Sequence, residues 1–259
     1  MGPIEKGLWI VNLFLVVVLI ARLVSQGLFR RYLWFFCLLF IQGGQTVALL
    51  PLAPSTNAYA WVYFVSQPLV WLSYILVVLE LYHLALQDHA GLASLSKWAL
   101  GFGMLVALGI AAVTVPVDLS GPSGRYPILF TIGVIERGLT FSLLLFLVVI
   151  IGFLVWMPIQ IPRNLVVHAA LFLAYYSATA AGLFVRNIVG YELVGVISSM
   201  LLSVNNLCLV LWILFLNRKG EETPVTLRKL WRQSDEDQIT RQLDAINAFL
   251  LRSAGKQDR

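Results

Sequence analysis

Charged residues are scarce in this chain of 259 residues, and their scarcity excludes a water-soluble protein. Charged side chains make up 12% of the sequence and hydrophobic ones 59%, whereas a soluble domain is about a quarter charged and about half apolar. Several uninterrupted apolar runs reach the roughly 20 residues that a helix needs to cross a bilayer. The sequence therefore predicts an all-α integral membrane protein.

Cysteine and lysine are also sparse, and the absence of each residue from certain regions excludes one kind of chemistry. The two cysteines, Cys37 and Cys208, both lie inside apolar runs, so neither suits an extracellular disulfide bond. No lysine occurs between Lys97 and Lys219. The last apolar run therefore cannot form a Schiff base with retinal, and we expect no cofactor.

Common enzyme signatures are missing as well. The sequence contains no Walker loop, no Gly-x-Ser-x-Gly and no His-Glu-x-x-His, which are the patterns of nucleotide hydrolases, serine hydrolases and zinc hydrolases. Ser177 and Ser198-Ser199 have no histidine at a matching depth. The net charge is +5, and half of the eighteen lysine and arginine residues follow Asn217, which indicates attraction to a membrane surface and not nucleic-acid binding. We expect a non-enzymatic protein.

Seven apolar runs of membrane-crossing length follow one another, separated by polar or proline-rich turns. They are residues 8–24, 33–50, 59–86, 97–115, 128–156, 165–189 and 191–216. Together they predict one seven-helix domain over residues 1–216, followed by a tail over 217–259. Six or eight helices would result only if the third or the fifth run breaks at its polar residues. The pattern resembles opsins and receptor-type bundles in architecture only, and architecture does not carry function.

The distribution of lysine and arginine between the turns predicts the orientation. The turns after odd-numbered runs are basic, and so is the start of the tail; their residues are Arg30, Arg31, Lys97, Arg163, Arg218 and Lys219. The turns after even-numbered runs carry only Arg125 and Arg186. Because basic turns stay in the cytoplasm, we expect the N-terminus outside and the tail in the cytoplasm. The expected location is the cytoplasmic membrane of a prokaryote.

The tail predicts an amphipathic cytoplasmic helix. Basic and apolar residues from Pro224 to Arg232 favour a short helix on an anionic leaflet. Ser234 then resembles a helix cap, and four apolar residues follow at helical spacing: Ile239, Leu243, Ile246 and Leu250. The region 234–254 could dock on the bundle, associate with a second copy, or contact a cytoplasmic protein partner.

An adjacent acid and base, Glu136 and Arg137, interrupt the fifth run about 12–14 Å from its outer end, at 1.5 Å per residue. Charges at this depth are costly and should face the bundle interior with partners. Arg186 and Glu192 lie near the same level, so we expect Glu136 to pair with Arg186 and Arg137 with Glu192, or the reverse. Amides join this layer at Gln67, Asn205 and Asn206.

Two interpretations of this polar layer stay open. It could be an outward-opening site in which Arg137 or Arg186 takes an anionic ligand. Alternatively, it could be a set of compensated ion pairs and amides that fix helix register, because interhelical polar contacts also serve simply to join helices.

A second polar layer lies near the cytoplasmic side and carries all three histidines. Glu80 and His83 form a Glu-x-x-His pair, and His89 and His168 lie at a similar level. Carboxylate-bridged metal sites in bundles use two such pairs plus further glutamates, so the sequence predicts no metal site here. We expect Glu80 to pair instead with Arg22 or with a backbone donor.

These patterns favour a receptor-like, sensory or scaffolding membrane protein. It would have an outward-facing polar site for a small-molecule ligand, and a tail that contacts partners. A transporter or channel for a small or lipid-like solute is the alternative. A metal-dependent membrane enzyme is the third.

Overall fold

The computed structural model describes residues 3–52, 56–87, 109, 127–156, 160–189, 194–226, 241 and 244–245. Nearly all of the fourth predicted span, 97–115, lies outside these residues, as do His89 and Glu192. The apolar stripe of the tail lies outside them too.

The described part of the chain is a bundle of apolar helices, as the sequence predicts. The helices are α1 (Pro3–Ser25), α2 (Leu33–Leu49), α3 (Asn57–Leu86), α4 (Pro127–Trp156), α5 (Arg163–Val189), α6 (Val194–Phe215) and the short α7 (Arg218–Glu222). Within the described ranges, α1, α3, α4, α5 and α6 each contain a segment long and apolar enough to cross a membrane. Helix α2 is equally apolar but has only 17 residues. An integral membrane protein is supported, while the total of seven spans stays a prediction.

Helices α3 and α4 are both continuous, so neither of the breaks that would change the number of spans occurs. Helix α3 starts after Thr56, whose side chain accepts a hydrogen bond from the backbone N–H of Tyr59 at 3.3 Å. It continues through Pro68 to Leu86. Helix α4 continues through Glu136 and Arg137 in the same way.

The helices are arranged around a common interior. Helix α1 packs against α2 and α6, α2 also packs against α3, and α5 packs against α3 and α6. Helix α4 packs against α3 and α5. The first and last crossing helices are therefore neighbours, and α1, α2, α3, α5 and α6 form a closed ring of contacts.

Large apolar side chains cover the outside of the bundle. Phe14 is 66% exposed, Val65 67% and Met200 67%, each from a different helix. Contiguous apolar exposure on this scale marks an interaction surface. Because the helices have membrane-crossing length, the surface fits contact with lipid.

The chain after α6 folds back onto one end of the bundle. Strand β1 (Gln160–Pro162) pairs antiparallel with β2 (Pro224–Thr226), with Ile161 opposite Val225. The backbone N–H of Arg163 donates to the carbonyl of Thr223 at 3.0 Å. Residues Asn217–Thr226, here named the docked segment, are therefore held against the bundle. The helix predicted from Pro224 is wrong for residues 224–226, because their backbone groups pair with β1.

Arginines from separate parts of the chain lie at this end, which we call the basic end. Arg22 donates two hydrogen bonds to the carbonyl of Leu216, at 3.2 and 3.1 Å. Arg31 forms an ion pair with Glu221, and Arg163 bonds the docked segment through its backbone. The structure thus groups basic residues that the sequence places in alternate turns.

Candidate functional site

A cavity of about 510 Å³ lies inside the bundle, at the end opposite the basic end. All six long helices of the described part contribute to its wall. Glu5, Tyr59 and Gly195 each lie within the first three residues of their helix, so the cavity reaches that end of the bundle. Its volume lies within the range of small-molecule sites, roughly 300–1,000 Å³.

Glu136 and Asn205 form part of the deep wall of this cavity. Glu136 lies nine residues after Pro127, a depth of about 13 Å at 1.5 Å per residue. Gln45, Tyr175 and Thr179 contribute further polar groups nearby. Two of the residues predicted for a polar site thus meet at one cavity.

Arg137 does not belong to the described wall, although it is half-buried beside Glu136. Both residues already take part in an interaction within the protein. Arg186 belongs to α5, but its side chain lies outside the described residues, as does the whole of Glu192. The predicted pairing of these four residues therefore stays a prediction.

The other two predicted amides join helices and do not line the cavity. Asn12 donates from Nδ2 to Oδ1 of Asn206 at 2.8 Å, and Asn206 donates to the carbonyl of Leu8 at 3.2 Å. Both asparagines are buried. Adjacent positions on a helix point about 100° apart, which explains why Asn205 reaches the cavity while Asn206 reaches α1.

Gln67 is likewise buried between helices. Its Oε1 accepts from Nε2 of Gln45 at 3.0 Å, and the same nitrogen lies 2.9 Å from Oγ of Ser66. These bonds fix the side chain of Gln45, which itself lines the cavity. Gln67 therefore supports the cavity wall from behind.

A pair of tyrosines forms the floor. The hydroxyls of Tyr74 and Tyr175 are 2.7 Å apart, and Gln42 donates to Tyr74 at 2.7 Å. Tyr175 lines the cavity. Beneath the pair lies a separate void of about 10 Å³, which is room for about one water molecule.

Below this void, the bundle is filled by aromatic rings. Phe35, Phe172 and Trp212 surround His168, whose ring centroid lies 4.6, 6.1 and 6.1 Å from theirs. Tyr32 closes the group on the side of the basic end, 4.4 Å from His168. We name these five residues the aromatic cluster.

His168 is fully buried, and neither ring nitrogen has a hydrogen-bond partner among the described residues. Four aromatic rings of the described residues lie around it. It therefore packs as one more ring of the aromatic cluster.

Glu80 forms a cap for a neighbouring helix. Its two carboxylate oxygens accept from the backbone N–H groups of Trp34 and Phe35, at 3.0 and 3.2 Å, at the start of α2. A carboxylate is favourable there because unpaired N–H groups and the helix dipole make a helix N-terminus positive. Of the two predicted partners, the backbone donor is confirmed, while Arg22 bonds Leu216.

The remaining metal candidates do not gather within the described residues. His83 is exposed on α3, and His89 lies outside the described residues. Across the described ranges, no group of three or more His, Cys, Asp or Glu residues is close enough to hold a metal ion. The absence of a metal site stays a prediction.

Glu221 is the centre of the contacts that hold the docked segment. Its carboxylate accepts from the Tyr32 hydroxyl at 2.5 Å and from Nδ2 of Asn164 at 2.7 Å, and pairs with Nε of Arg31 at 2.7 Å. Burial, and after it the charge of Glu221, raises the pKa of Tyr32 above its usual value. Tyr32 therefore remains protonated as a donor at neutral pH.

Asn164 and Gly220 fit together closely at the same place. Asn164 is fully buried and donates to the carbonyl of Asn217 at 2.8 Å. Asn217 in turn caps α7 by accepting from the N–H of Gly220 at 2.7 Å. A Cβ atom at Gly220 would overlap the Asn164 amide. Sequence reasoning missed this contact, and the one local signal for it was Asn217 as a possible cap.

No protein-family model, curated protein or solved structure matches the chain. The function is therefore argued from the geometry described above.

Proposed function

We propose that this is a non-enzymatic, receptor-like membrane protein that binds a small molecule in the cavity and transmits its presence to the docked segment. The observation that carries the proposal is the asymmetry between the two ends of the bundle. One end contains a cavity of about 510 Å³. The other end is filled by the aromatic cluster and closed by the docked segment.

A continuous line of contacts supports communication between the two ends. Tyr175 lines the cavity, and its ring lies 5.4 Å from that of Tyr176. Tyr176 stacks on Phe172 at 5.8 Å, and Phe172 stacks on His168 at 6.1 Å.

The line continues from His168 through Tyr32 to Glu221 in the docked segment. Close-packed interiors transmit displacement because they hold few voids. A bound ligand that displaces Tyr175 would therefore displace the side chains packed behind it. Contact alone does not establish coupling, so coupling has to be measured.

The same packing favours reception over transport. A solute crossing the interior of the described helices would have to pass the Tyr74–Tyr175 pair and then the aromatic cluster. The void between them has a volume of about 10 Å³, so these rings would have to separate along that route.

The orientation belongs to the proposal as well. Arg22, Arg31 and Arg163 lie at the basic end, and basic residues stay on the cytoplasmic side. The cavity would then face outward, and the docked segment and the tail would lie in the cytoplasm, available to a protein partner or a second copy. The cytoplasmic membrane of a prokaryote remains the predicted location.

A bulky side chain placed in the cavity tests this function without knowledge of the ligand. The variant Ser198→Trp puts an indole on the cavity wall, and Met200→Trp puts the same indole on the exposed face of the same helix. Both full-length proteins are reconstituted in nanodiscs, and amide hydrogen exchange is measured over residues 217–226. We expect Ser198→Trp to change exchange there at least threefold, while Met200→Trp leaves it at the wild-type rate. Equal exchange in both variants and the wild type would refute the coupling.

A further inference from the structure

The charge of the cavity wall indicates which ligands it can hold. The described wall residues include two carboxylates, Glu5 near the mouth and Glu136 near the floor, and no lysine, arginine or histidine. Glu5 is within electrostatic range of the Tyr59 hydroxyl, and Glu136 of the Tyr175 hydroxyl. Both tyrosines line the cavity with the two acids.

Aromatic rings accompany the two acids at both levels. Trp9 is four residues after Glu5 and thus on the same face of α1. Tyr59 and Tyr63 lie one helical turn apart on α3 and stack nearly parallel on the cavity wall, with ring centroids 6.2 Å apart and an angle of 8° between the rings. Ring faces attract cations through their quadrupole, and the attraction grows when the cation is desolvated.

The rest of the wall suits the body of an organic molecule and not a bare ion. Leu49, Ile132, Leu201 and Leu202 supply apolar surface between the acids. Sites for small molecules combine such surface with a few placed polar groups. A metal ion would instead need several converging oxygen or nitrogen ligands, and no group of three acids or histidines occurs among the described residues.

We propose that the cavity binds a monovalent organic cation, an ammonium group attached to an apolar or aromatic body. Its charged end would lie at Glu136, and its body would lie against Tyr175 and the leucines. The inference rests on the proposed function only in placing the ligand in the same cavity. An anion, the alternative considered from Arg137 or Arg186, would face two carboxylates there; Arg137 is not part of the described wall, and the side chain of Arg186 lies outside the described residues.

The partner that Glu136 already has within the protein is compatible with this ligand. Glu136 takes part in an internal interaction, and a carboxylate offers about four lone-pair positions on its two oxygens. The two oxygens can therefore accept from an ammonium group in addition to the interaction that Glu136 already makes.

Three probes of similar size and different charge test the ligand class. They are the phenyltrimethylammonium cation, its neutral parent N,N-dimethylaniline, and the benzenesulfonate anion. Binding to the full-length protein in nanodiscs of zwitterionic lipid is measured by equilibrium dialysis at neutral pH. We expect the cation to bind at least tenfold more tightly than either of the others. We also expect Ser198→Trp to abolish its binding, because the indole occupies the cavity.

Carboxylate variants assign the charge preference to the cavity. Glu136→Gln should weaken binding of phenyltrimethylammonium at least tenfold, while Asp244→Asn, at an exposed acid of the tail, should leave it unchanged. If Glu136→Gln does not fold, Glu5→Gln near the mouth serves instead, with a loss of at least threefold expected.

The possible failures separate the ligand class from the function. Equal binding of N,N-dimethylaniline and the cation, or unchanged binding in the carboxylate variants, would overturn the ligand class, yet the binding cavity would stand. Binding of none of the three probes would overturn the ligand class too. In that case, the exchange experiment with Ser198→Trp and Met200→Trp decides the function by itself.

Discussion

The hydroxyl of Tyr32 donates a 2.5 Å hydrogen bond to Glu221, which lies 189 positions later in the chain. Tyr32 lies between α1 and α2, whereas Glu221 lies on α7 after the last crossing helix. The bond therefore joins the first turn of the bundle to the segment that continues into the tail. Tyr32 is almost completely buried. Its hydroxyl can donate to Glu221 only while it holds its proton, so this hydrogen bond depends on the protonation of Tyr32.

The first prediction concerns stability at alkaline pH. Burial and the charge of Glu221 raise the pKa of Tyr32 above the ordinary 10.0, so the folded state holds the proton more tightly than the unfolded state. The contribution of Tyr32 is then complete below about pH 10 and is lost as the pH rises further. We expect the free energy of unfolding in detergent to fall more steeply above about pH 10 in the wild type than in Tyr32→Phe. Identical slopes in the two proteins would contradict this assignment.

The second prediction concerns the docked segment. Gly220→Ala places a methyl group where the Asn164 amide lies, so the segment cannot keep its position. We expect amide exchange over residues 217–226 to rise at least tenfold, while exchange in α3 stays unchanged. Gly152→Ala is the matched control, because a Cβ at Gly152 meets nothing within 4 Å. Unchanged protection of 217–226 in Gly220→Ala would show that the contact with Asn164 does not hold the segment.

The helices and part of the site could be predicted from the sequence, because their signals are local. Apolar length predicted the crossing helices of the described residues to within a few residues, as for α3, observed over Asn57–Leu86 against a predicted 59–86. The cost of burying a charge predicted that Glu136 faces inward, and it lines the cavity. Asn205, which the sequence placed deeper in the bundle than Glu136, lines the same cavity.

The docked segment and the separate roles of Asn205 and Asn206 could not be predicted in this way. The partners of Glu221 lie 57 and 189 residues away, and no spacing rule connects them. Which of two adjacent asparagines faces the cavity depends on the rotation of α6 against α1. Helix rotation is fixed by packing between helices, and the first helix gives no periodic signal because it is apolar all round.

The third prediction concerns the asparagine pair between α1 and α6. Asn12→Leu or Asn206→Leu alone leaves a buried amide without its partner, which costs about 1–3 kcal/mol. The double variant removes both amides, so its loss should be smaller than the sum by about 0.6–2 kcal/mol. The free energy of unfolding in detergent is measured for the wild type and for all three variants. The effects of Asn12→Leu and Asn205→Leu on the free energy of unfolding should be additive, since Asn205 faces the cavity. Additive effects of Asn12→Leu and Asn206→Leu would contradict the hydrogen bond between these two asparagines.

The fourth prediction concerns the cap that Glu80 provides for α2. Glu80→Gln keeps the shape of the side chain but replaces one acceptor with a donor amide, which faces the backbone N–H groups of Trp34 and Phe35. It also removes the negative charge from the helix N-terminus. We expect a loss of about 1 kcal/mol in the free energy of unfolding and faster amide exchange in the first turn of α2. Glu222→Gln, on an exposed acid, should change neither quantity.

The Glu80→Gln variant also distinguishes a role of Glu80 as a helix cap from a role as a metal ligand in an enzyme. Both oxygens of Glu80 already accept backbone hydrogen bonds, so a metal ion bound there would compete with the start of α2 for the same acceptors. If capping is the role of Glu80, elemental analysis of purified wild type and Glu80→Gln should give the same metal content, while only the exchange in α2 differs. A metal present at one equivalent in the wild type and lost in Glu80→Gln would return Glu80 and His83 to the list of candidate ligands. If amide exchange in α2 were the same in both proteins, capping of α2 would not be the role of Glu80.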